Sequence, residues 1–462
     1  MKRRSKAAVL GTVAVIGLTV LSGCGGGAGQ NAAGQNAAGN ATATAPAGNL
    51  VTPDLIGSPN AKTTITWEAV PAYSLKGSDP KRVQYLQDTF NKWAQQHPDW
   101  AVKPLVASAT PNEAMAKLLQ DAASGNAPDV AQIDSYIFPQ MYKYLTPLDD
   151  YLAKAGIDIN DFFPFAQKIM KGPDGHIYGV YFTTDVRMLF YRKDLVPNPP
   201  KTWDELLKMA PDLEKKGITP YLMAGGRGEA SFMDILPMYW ALGGKLVDDK
   251  GKPVFGEGEN KQDWLTVLGD LQQAVKQGAM PARATNYKNE SDLNTEAASG
   301  KVAMFLGGNF QWAQLQSILG DMSNWGVAPL IMPKADTRET VSGGWVWGVF
   351  TKDPAKVEEA VSFIANGWGS QEGMAGWCKV GGYLPTRQSV YQKDTYFSQP
   401  PFDQFAEELK YSNTRPGVAI YSDMSNNMQI AISSVISGSK TPEQALDDAY
   451  NATLQQYNSM KK

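Results

Sequence analysis

From Thr63 onward, the chain alternates short β-branched segments with amphipathic segments of helical period. The order is clearest in the first half, where strands are predicted at residues 64–67, 102–106 and 129–133 and helices at residues 82–95 and 112–123. Apolar residues of the first helix fall on one face at spacings of three and four, namely Val83, Leu86, Phe90 and Trp93. This order predicts an α/β fold with doubly wound, mostly parallel sheets.

Polar and aromatic side chains follow two of these strands directly. Glu68 and Tyr73 come at or soon after the end of the first strand, and Asp134 and Tyr136 come after the third. In doubly wound sheets, ligands bind beyond the carboxyl ends of the strands. We therefore expect these four residues to line a binding site.

Later helices carry recognisable N-terminal signals. Thr202-Trp-Asp-Glu205 has the spacing of a capping box and predicts a helix over residues 203–216. Pro354 follows Asp353 and Pro442 follows Thr441, and a proline at the first helical position is pre-organised for a helix start. These signals predict helices over residues 355–366 and at the end of the chain.

The first 24 residues have the layout of a bacterial export signal. Residues 1–6 are basic and residues 7–21 carry no charge, which is shorter than the roughly 20 residues of a membrane-spanning helix. Leu21-Ser-Gly-Cys24 resembles a bacterial lipobox, where cleavage before the cysteine leaves its thiol carrying a diacylglycerol. We expect residues 1–23 to be removed and Cys24 to anchor the exported protein to the outer face of the cell membrane. Ordinary secretion with an incidental cysteine is the alternative.

Residues 24–59 are predicted to form the anchor and a flexible tether. Residues 25–49 contain no charge and consist of Gly, Ala, Asn, Gln, Thr and one Pro. The pentapeptide Gly-Gln-Asn-Ala-Ala occurs twice, at residues 29–33 and 34–38. Such a composition buries no core and behaves as a coil that spans roughly 25–30 Å.

Composition and motifs argue against nucleic acid, metals and cofactors. A net charge of −3 gives no reason to expect a nucleic-acid partner. Two histidines, His97 and His176, and two distant cysteines do not suffice for a zinc site or a disulfide framework. Walker A, G-x-G-x-x-G, G-x-S-x-G and H-E-x-x-H motifs are absent, and Cys378 in its apolar stretch is predicted to be buried. Binding is favoured over catalysis, with a glycosidase carboxylate pair left open.

The middle of the chain carries two specific motifs in close succession. Tyr191-Arg-Lys-Asp-Leu195 is followed by Pro199-Pro-Lys-Thr-Trp-Asp-Glu-Leu206. Further blocks occur in order, at residues 127–130, 242–244, 299–304, 307–310, 343–345, 381–386 and 441–446. Over essentially all of residues 62–457, the chain thus resembles the extracellular solute-binding proteins (family 1) of sugar ABC importers, on the maltose and multiple-sugar branch.

This resemblance implies a two-lobed periplasmic-binding-protein-like fold of the maltose-binding type. The chain would cross between the lobes three times, near residues 183–185, 330–333 and 385–388. Lobe one would comprise residues 60–184 and 332–386, and lobe two residues 185–331 and 387–462. The ligand would lie in the cleft between the lobes, which close around it by a hinge motion.

The resemblance also implies several ligand contacts. Asp185 takes the position of an acidic sugar ligand in the maltose-binding branch, and Arg187 shares its face if the segment is a strand. Glu229 lies in a loop where that branch places another acidic ligand. Phe310, next to Asn309, replaces a stacking tryptophan and so keeps an aromatic face. For Arg187, a salt bridge that braces a lobe is the alternative role.

Residues near the later crossings complete the predicted site. Trp345 matches a stacking tryptophan of trehalose- and maltose-binding members, and Trp347 shares its face by period two but is equally consistent with the core. Tyr383 and Arg387 flank the third crossing. Aromatic rings suit the apolar face of a sugar, and charged groups suit its hydroxyls.

The predicted function is that of a monomeric lipoprotein that captures a carbohydrate, such as a malto-oligosaccharide, for the transmembrane subunits of an ABC permease. ATP hydrolysis would belong to a separate subunit, and no cofactor, metal or nucleic acid is expected. A glycerol-phosphate-type ligand would require a basic cleft, for which Arg187, Arg227 and Arg387 are available. A secreted glycosidase, or a sensor or adhesin with the same fold, would also be consistent with the sequence.

Overall fold

The structure, a computed structural model, describes residues 50–460 of the 462-residue chain. The predicted signal segment at residues 1–23, the predicted lipid acceptor Cys24 and the predicted tether up to residue 49 lie outside the described residues. Their assignments remain predictions.

Strands in the described part of the chain follow the predicted alternation. They are β1 (Ile56–Gly57), β2 (Thr63–Ala69), β3 (Trp100–Val106), β4 (Val130–Asp134), β5 (Gly179–Thr184), β6 (Arg187–Arg192), β7 (Thr219–Leu222), β8 (Val302–Gly308), β9 (Trp325–Ala328), β10 (Thr340–Ser342), β11 (Gly344–Val349) and β12 (Ser412–Thr414).

Helices fill most of the intervening chain. They are α1 (Pro80–Gln96), α2 (Pro111–Ser124), α3 (Phe138–Met141), α4 (Asp149–Lys154), α5 (Pro164–Met170), α6 (Trp203–Glu214), α7 (Glu229–Met233), α8 (Leu236–Trp240), α9 (Gly258–Lys276), α10 (Asn294–Ala298), α11 (Gln311–Leu319), α12 (Pro354–Ile364), α13 (Gln371–Gly381), α14 (Gln388–Lys393), α15 (Phe402–Glu408), α16 (Tyr421–Ile436) and α17 (Pro442–Met460). Within residues 50–460, none of them combines the length and the apolar character needed to cross a membrane.

Local capping explains the predicted helix starts. The Thr202 hydroxyl accepts a hydrogen bond from the Glu205 amide at 3.3 Å, so α6 begins where the sequence predicts. The Glu205 carboxylate bonds to the Lys201 amide at 2.6 Å, one residue before the expected capping-box partner. Asp353 likewise caps α12 through the Ala355 amide.

The first sheet contains six strands in the order β1-β3-β2-β4-β11-β5 and is mixed. β2 runs parallel to both β3 and β4, as the alternation predicts. β11 comes from a distant part of the chain and lies antiparallel between β4 and β5. Because β11 runs antiparallel to both neighbours, it begins at the edge where β4 and β5 end.

The second sheet contains four strands in the order β7-β8-β6-β9. Only β7 and β8 are parallel, and β6 is antiparallel to β8 and to β9. The predicted α/β class is confirmed. Most strands of each sheet run in one direction, β2 to β5 in the first sheet and β7 to β9 in the second, while β1, β6 and β11 run against them and make both sheets mixed. A strand that returns from the other lobe enters from the cleft edge and must run against its neighbours. We call the elements packed on the first sheet lobe one and those packed on the second sheet lobe two.

The end of the predicted tether belongs to lobe one. β1 pairs antiparallel with β3 through Ile56 and Gly57, and Val51 and Ile56 are buried. Residues 50–57 are therefore folded, although the sequence places them in the flexible segment. The signal for this strand is only two residues long, which is too short for a periodic pattern.

Only Asp185 and Val186 separate β5 of the first sheet from β6 of the second. The second passage between the sheets is favoured at Gly343 rather than at residues 330–333. β10 pairs with β12, and the Thr340 hydroxyl donates to the Arg187 carbonyl at 2.7 Å and accepts from the Arg187 amide at 3.0 Å. The segment up to Ser342 thus lies with lobe two.

The third passage is also favoured at a later position than the predicted residues 385–388. α14 contacts α13 of lobe one, and the Ser389 amide donates to Asp161 at 2.8 Å. Beyond α14, the Phe405 ring of α15 lies 6.2 Å from Phe190 of β6 in lobe two. The chain therefore changes lobe shortly before α15.

Tryptophan rings form the centre of lobe one. Trp67, Trp347 and Trp368 are completely buried, and their ring centroids lie 4.5–5.9 Å apart. Cys378 is buried in the same core, as predicted. Aromatic pairs at such distances stabilise a core beyond the burial of their area.

Asp270 of α9 is a partly buried carboxylate in lobe two. Burial raises its pKa to about 6, and the like charge of Asp204 adds to the effect. The folded protein therefore holds this proton to a higher pH than the unfolded chain, and stability falls as the pH rises from about 4 to about 6.

We expect Asp270→Asn to increase the free energy of unfolding above pH 6, where the ionised carboxylate carries a desolvation cost. The gain should be on the order of 1 kcal/mol after allowance for solvent screening, and should vanish near pH 4. Urea denaturation at pH 7.5 and pH 4 measures it. Asp212→Asn, in an exposed ion pair with Lys215, is the control and should give no gain. An equal effect of Asp270→Asn at both pH values would contradict the prediction.

Candidate functional site

The carboxyl ends of β4 and β5 and the start of β11 meet at one edge of the first sheet. Trp345 is paired with Asp134 on one side and with Thr183 on the other. Gly344 precedes it with a φ of 145°, and a Cβ atom there would lie 2.1 Å from the Thr183 carbonyl oxygen. Only glycine permits this approach, so the strand register fixes Trp345 next to Asp134.

Four aromatic residues from four separate parts of the chain, Tyr73, Phe310, Trp345 and Tyr383, form one group, which we call the aromatic group. The Tyr73 ring lies 5.7 Å from Trp345 and stacks on Tyr383 at 5.4 Å, and Phe310 of lobe two lies 6.1 Å from Tyr383. Trp345, Tyr383 and Phe310 are half-buried, and Tyr73 is buried. The group therefore offers partly accessible, flat apolar faces where the lobes meet.

Asp185 lies at the first passage between the lobes and is partly exposed. Its Oδ1 accepts the Gly343 amide at 2.8 Å and lies 3.1 Å from the Arg187 guanidinium. Among residues 50–460, no group bonds to its Oδ2. Asp185 is thus held rigidly by one oxygen and has the other for an external hydrogen-bond donor.

Arg187 forms the centre of a buried ion-pair group beneath Asp185. Its Nε donates to Asp234 at 2.8 Å, and its other nitrogens contact Glu290 and Asp185. Arg187 is 4% exposed, and burial together with nearby Glu290 raises the pKa of Asp234 well above its usual range. Arg187 supports Asp185 and the Phe310 ring, 5.8 Å away, and does not present itself to a ligand. The bracing role is therefore the one that these contacts favour.

A second ion-pair group connects the lobes. Arg415 donates to Asp134 Oδ1 at 2.7 Å and to Glu229 Oε1 at 3.1 Å, and its guanidinium lies 4.5 Å from the Tyr136 ring centroid. Burial raises the pKa of Asp134 to about 6, although the Arg415 charge opposes the increase. As with Asp185, no described residue bonds to Asp134 Oδ2.

Glu229 is fixed by further donors from α16. The Tyr421 hydroxyl donates to its Oε1 at 2.6 Å and the Ser425 hydroxyl to its Oε2 at 2.5 Å. The sequence reasoning missed Arg415, Tyr421 and Ser425. The sequence offers one signal for Arg415, which is its place in the loop-forming segment Arg415-Pro-Gly417, since functional residues are often carried on loops.

Two residues that the sequence predicts as ligand contacts, Glu68 and Trp347, do not face the cleft. Glu68 faces α2, where Lys117 and Asp121 act on it and burial raises its pKa. Trp347 is fully buried, with its ring 5.0 Å from Phe182. Neither is brought to the cleft edge.

Two further predicted residues brace the chain. Asn309 is completely buried, accepts the Val186 amide at 2.9 Å and donates to the Gly382 carbonyl at 2.6 Å. Arg387 is buried within lobe one, where it donates to Asp161 at 2.6 Å and to a carbonyl of the π-helical turn at residues 365–369. Both are occupied by protein groups, so the structure corrects their assignment as ligand contacts.

Comparison with known proteins places the chain in a family. A model of the bacterial extracellular solute-binding protein family matches residues 86–403, well over half of the chain. The sn-glycerol-3-phosphate-binding periplasmic protein UgpB of Escherichia coli (strain K12) is 26% identical over 434 residues, which cover 86% of this chain and 92% of that protein. UgpB of Pectobacterium atrosepticum is 25% identical over 427 residues, with 84% and 92% covered.

Solved structures show the same architecture. Maltose-bound MalE3 of T. maritima superposes with a TM-score of 0.72 at 24% identity, covering 84% of this chain and 98% of that one. The GacH receptor of Streptomyces glaucescens, solved without ligand and with acarbose, gives 0.71 at 23% identity, covering 85% and 98%. The predicted two-lobed, periplasmic-binding-protein-like fold is confirmed.

The two tryptophans of β11 should differ in their contribution to stability. Trp347→Ala removes a fully buried ring and should lower the free energy of unfolding by about 3–5 kcal/mol. Trp345→Ala removes a half-exposed ring and should cost clearly less. Guanidinium denaturation compares them, with Trp347→Phe as a milder core variant in case the alanine variant does not fold. Equal losses at both positions would contradict the assignment.

Proposed function

Because the chain belongs to the bacterial extracellular solute-binding protein family, we propose that it captures a neutral carbohydrate between its lobes and delivers it to an ABC permease. Members of this family are non-enzymatic components of transporters, so the ligand is released unchanged. The observation that carries the carbohydrate assignment is the aromatic group next to Asp134 and Asp185, each of which keeps one carboxylate oxygen without a partner among residues 50–460.

Carbohydrate chemistry fits both halves of this arrangement. A sugar ring has an apolar C–H face, which suits the partly accessible rings of Trp345, Tyr383 and Phe310. Its hydroxyls can donate to Asp134 Oδ2 and Asp185 Oδ2, and hydrogen bonds to ionised carboxylates are the stronger kind. Residues on both lobes take part, so a ligand held by them favours closure.

A glycerol-phosphate-type ligand is the second candidate, since relatives that are about one quarter identical bind sn-glycerol 3-phosphate by name. The charges around the cleft argue against it. Arg187 is bonded to three carboxylates and Arg415 to two. A phosphate would have to compete for these guanidiniums inside an excess of negative charge, and like charges at such distances repel.

Calorimetry with glucose, maltose, maltotriose and sn-glycerol 3-phosphate tests the ligand class. We expect at least one sugar to bind and the phosphate not to bind. Trp345→Ala should weaken sugar binding by about 1–3 kcal/mol, on the scale of aromatic stacking with nucleic-acid bases. Trp100→Ala, at the opposite end of the strands, is the matched control and should leave the affinity unchanged. Binding of the phosphate with failure of every sugar would refute the carbohydrate assignment.

We also propose that the mature protein is held to the membrane by a lipid on Cys24. The layout of residues 1–24 supports the proposal, and those residues lie outside the described part of the chain. The monomeric state remains a prediction.

In a bacterial host, Cys24→Ala should move the protein from the membrane fraction to the soluble fraction and abolish incorporation of labelled fatty acid. The reason is that only an acylated N-terminal cysteine supplies the two or more chains that stable anchoring needs. Cys378→Ala removes the other cysteine and should leave both readouts unchanged. Membrane retention and fatty-acid labelling of the Cys24→Ala protein would rule out the anchor.

A further inference from the structure

The Arg415 ion pairs connect groups that belong to different lobes. Asp134 is the last residue of β4 in lobe one, whereas Glu229 begins α7 in lobe two, after β7. Arg415 follows β12, whose partner β10 lies with lobe two. Its bond to Asp134, at 2.7 Å, therefore spans the junction, while its bond to Glu229 stays within lobe two.

Both carboxylates are tied to their own lobes independently of Arg415. Asp134 accepts the Tyr136 amide at 3.4 Å, and Glu229 accepts the hydroxyls of Tyr421 and Ser425. If the lobes separate, Glu229 stays with Arg415 in lobe two, whereas Asp134 stays with lobe one and its bond to Arg415 breaks. The guanidinium is also only 4% exposed, so it is withdrawn from water while the contact is made.

The contact extends along a short patch around Arg415. Its guanidinium packs over the Tyr136 ring at 4.5 Å, and the Tyr136 ring lies 5.0 Å from Tyr421. The Gln140 amide donates to the Val418 carbonyl at 3.3 Å. Residues 415–421 of lobe two are thus seated on residues 134–140 of lobe one by polar and aromatic contacts.

We infer that Arg415 is a positioning residue that draws the two lobes together in the ligand-free protein. Its positive charge offsets part of the negative charge of Asp134 and Glu229, and the negative charge of Glu229 contributes to the raised pKa of Asp134. Without the guanidinium, two tethered carboxylates would face each other across the junction, and repulsion would favour separation. In this arrangement a ligand enters lobes that are already held together, and does not bear the whole cost of closing them.

The closed fraction can be measured without any ligand, so the test is independent of the proposed function. Small-angle scattering of the Cys24→Ala chain gives the radius of gyration, and spin labels at Lys154 of lobe one and Lys215 of lobe two give a distance between lobes. Both lysines are largely exposed. Arg415→Met should increase the radius and shift the distance distribution to larger values.

Three further variants separate the ion pair from general damage. Arg338→Met is the control, because Arg338 pairs with Glu408 and lies over the Tyr411 ring at 4.1 Å, all within lobe two. It should leave both readouts unchanged. Arg415→Lys keeps the charge and should open the protein less than Arg415→Met. Asp134→Asn removes the partner of Arg415 in lobe one and should also open the protein. This variant tests the same ion pair if Arg415→Met does not fold.

An unchanged radius and distance in both Arg415→Met and Asp134→Asn would overturn the inference. Equal opening by Arg415→Lys and Arg415→Met would overturn it as well, because retained charge would then have no effect. Opening by Arg338→Met to the same extent would show that loss of any arginine pair loosens the protein, and would likewise refute it.

Discussion

The antiparallel insertion of β11 between β4 and β5 is the constraint on which the site depends. β11 is the point where a chain that has built most of lobe two returns to complete lobe one. Its hydrogen bonds set the register of Trp345 against Asp134 and close the first sheet around Trp347. One strand therefore supplies both a cleft residue and a core residue on one face, because Trp345 lies at the start of β11 at the sheet edge and Trp347 lies two positions further into the sheet. Gly343 and Gly344 permit the turn into it.

Buried charge in this protein is organised around two arginines with opposite tasks. Arg187 lies within lobe two, where it contacts Asp185 and the Phe310 ring. Arg415 also belongs to lobe two, but it forms an ion pair with Asp134 of lobe one. Each is surrounded by more carboxylates than it can neutralise. A buried ion pair adds little to the free energy of unfolding compared with an apolar replacement of both partners. Removing only one partner is strongly destabilising, because it leaves a buried charge unpaired. The effect of such a pair is to specify geometry, first within a lobe and then between lobes.

The parts of the structure that follow from local pattern could be predicted from the sequence. Helix starts at Trp203 and Pro354, the order of β2, β3 and β4 and the buried Cys378 depend on neighbours within a few residues. Arg415 and Asp134 lie 281 positions apart, and nothing around either residue indicates the other. The same limit explains Asn309, whose partners are backbone groups of Val186 and Gly382, and Arg387, whose carboxylate partner Asp161 lies 226 positions away. The family resemblance predicted Asp185, Phe310 and Trp345 as ligand contacts. It could not show which neighbouring polar residues instead form hydrogen bonds with other groups of the protein.

The position of β1 has a mechanical consequence. This strand lies at one end of the first sheet and β5 at the other, so the chain before residue 50 joins lobe one far from the residues that meet lobe two. A pull on the N-terminus is borne first by Leu50, whose amide donates to Asn91 of α1 and whose carbonyl accepts the Gly57 amide, and then by the pairing of β1 with β3. Lobe two carries none of that load and can swing while lobe one is held. An attachment at the N-terminus therefore holds lobe one in place, and the movement that closes the cleft is made by lobe two.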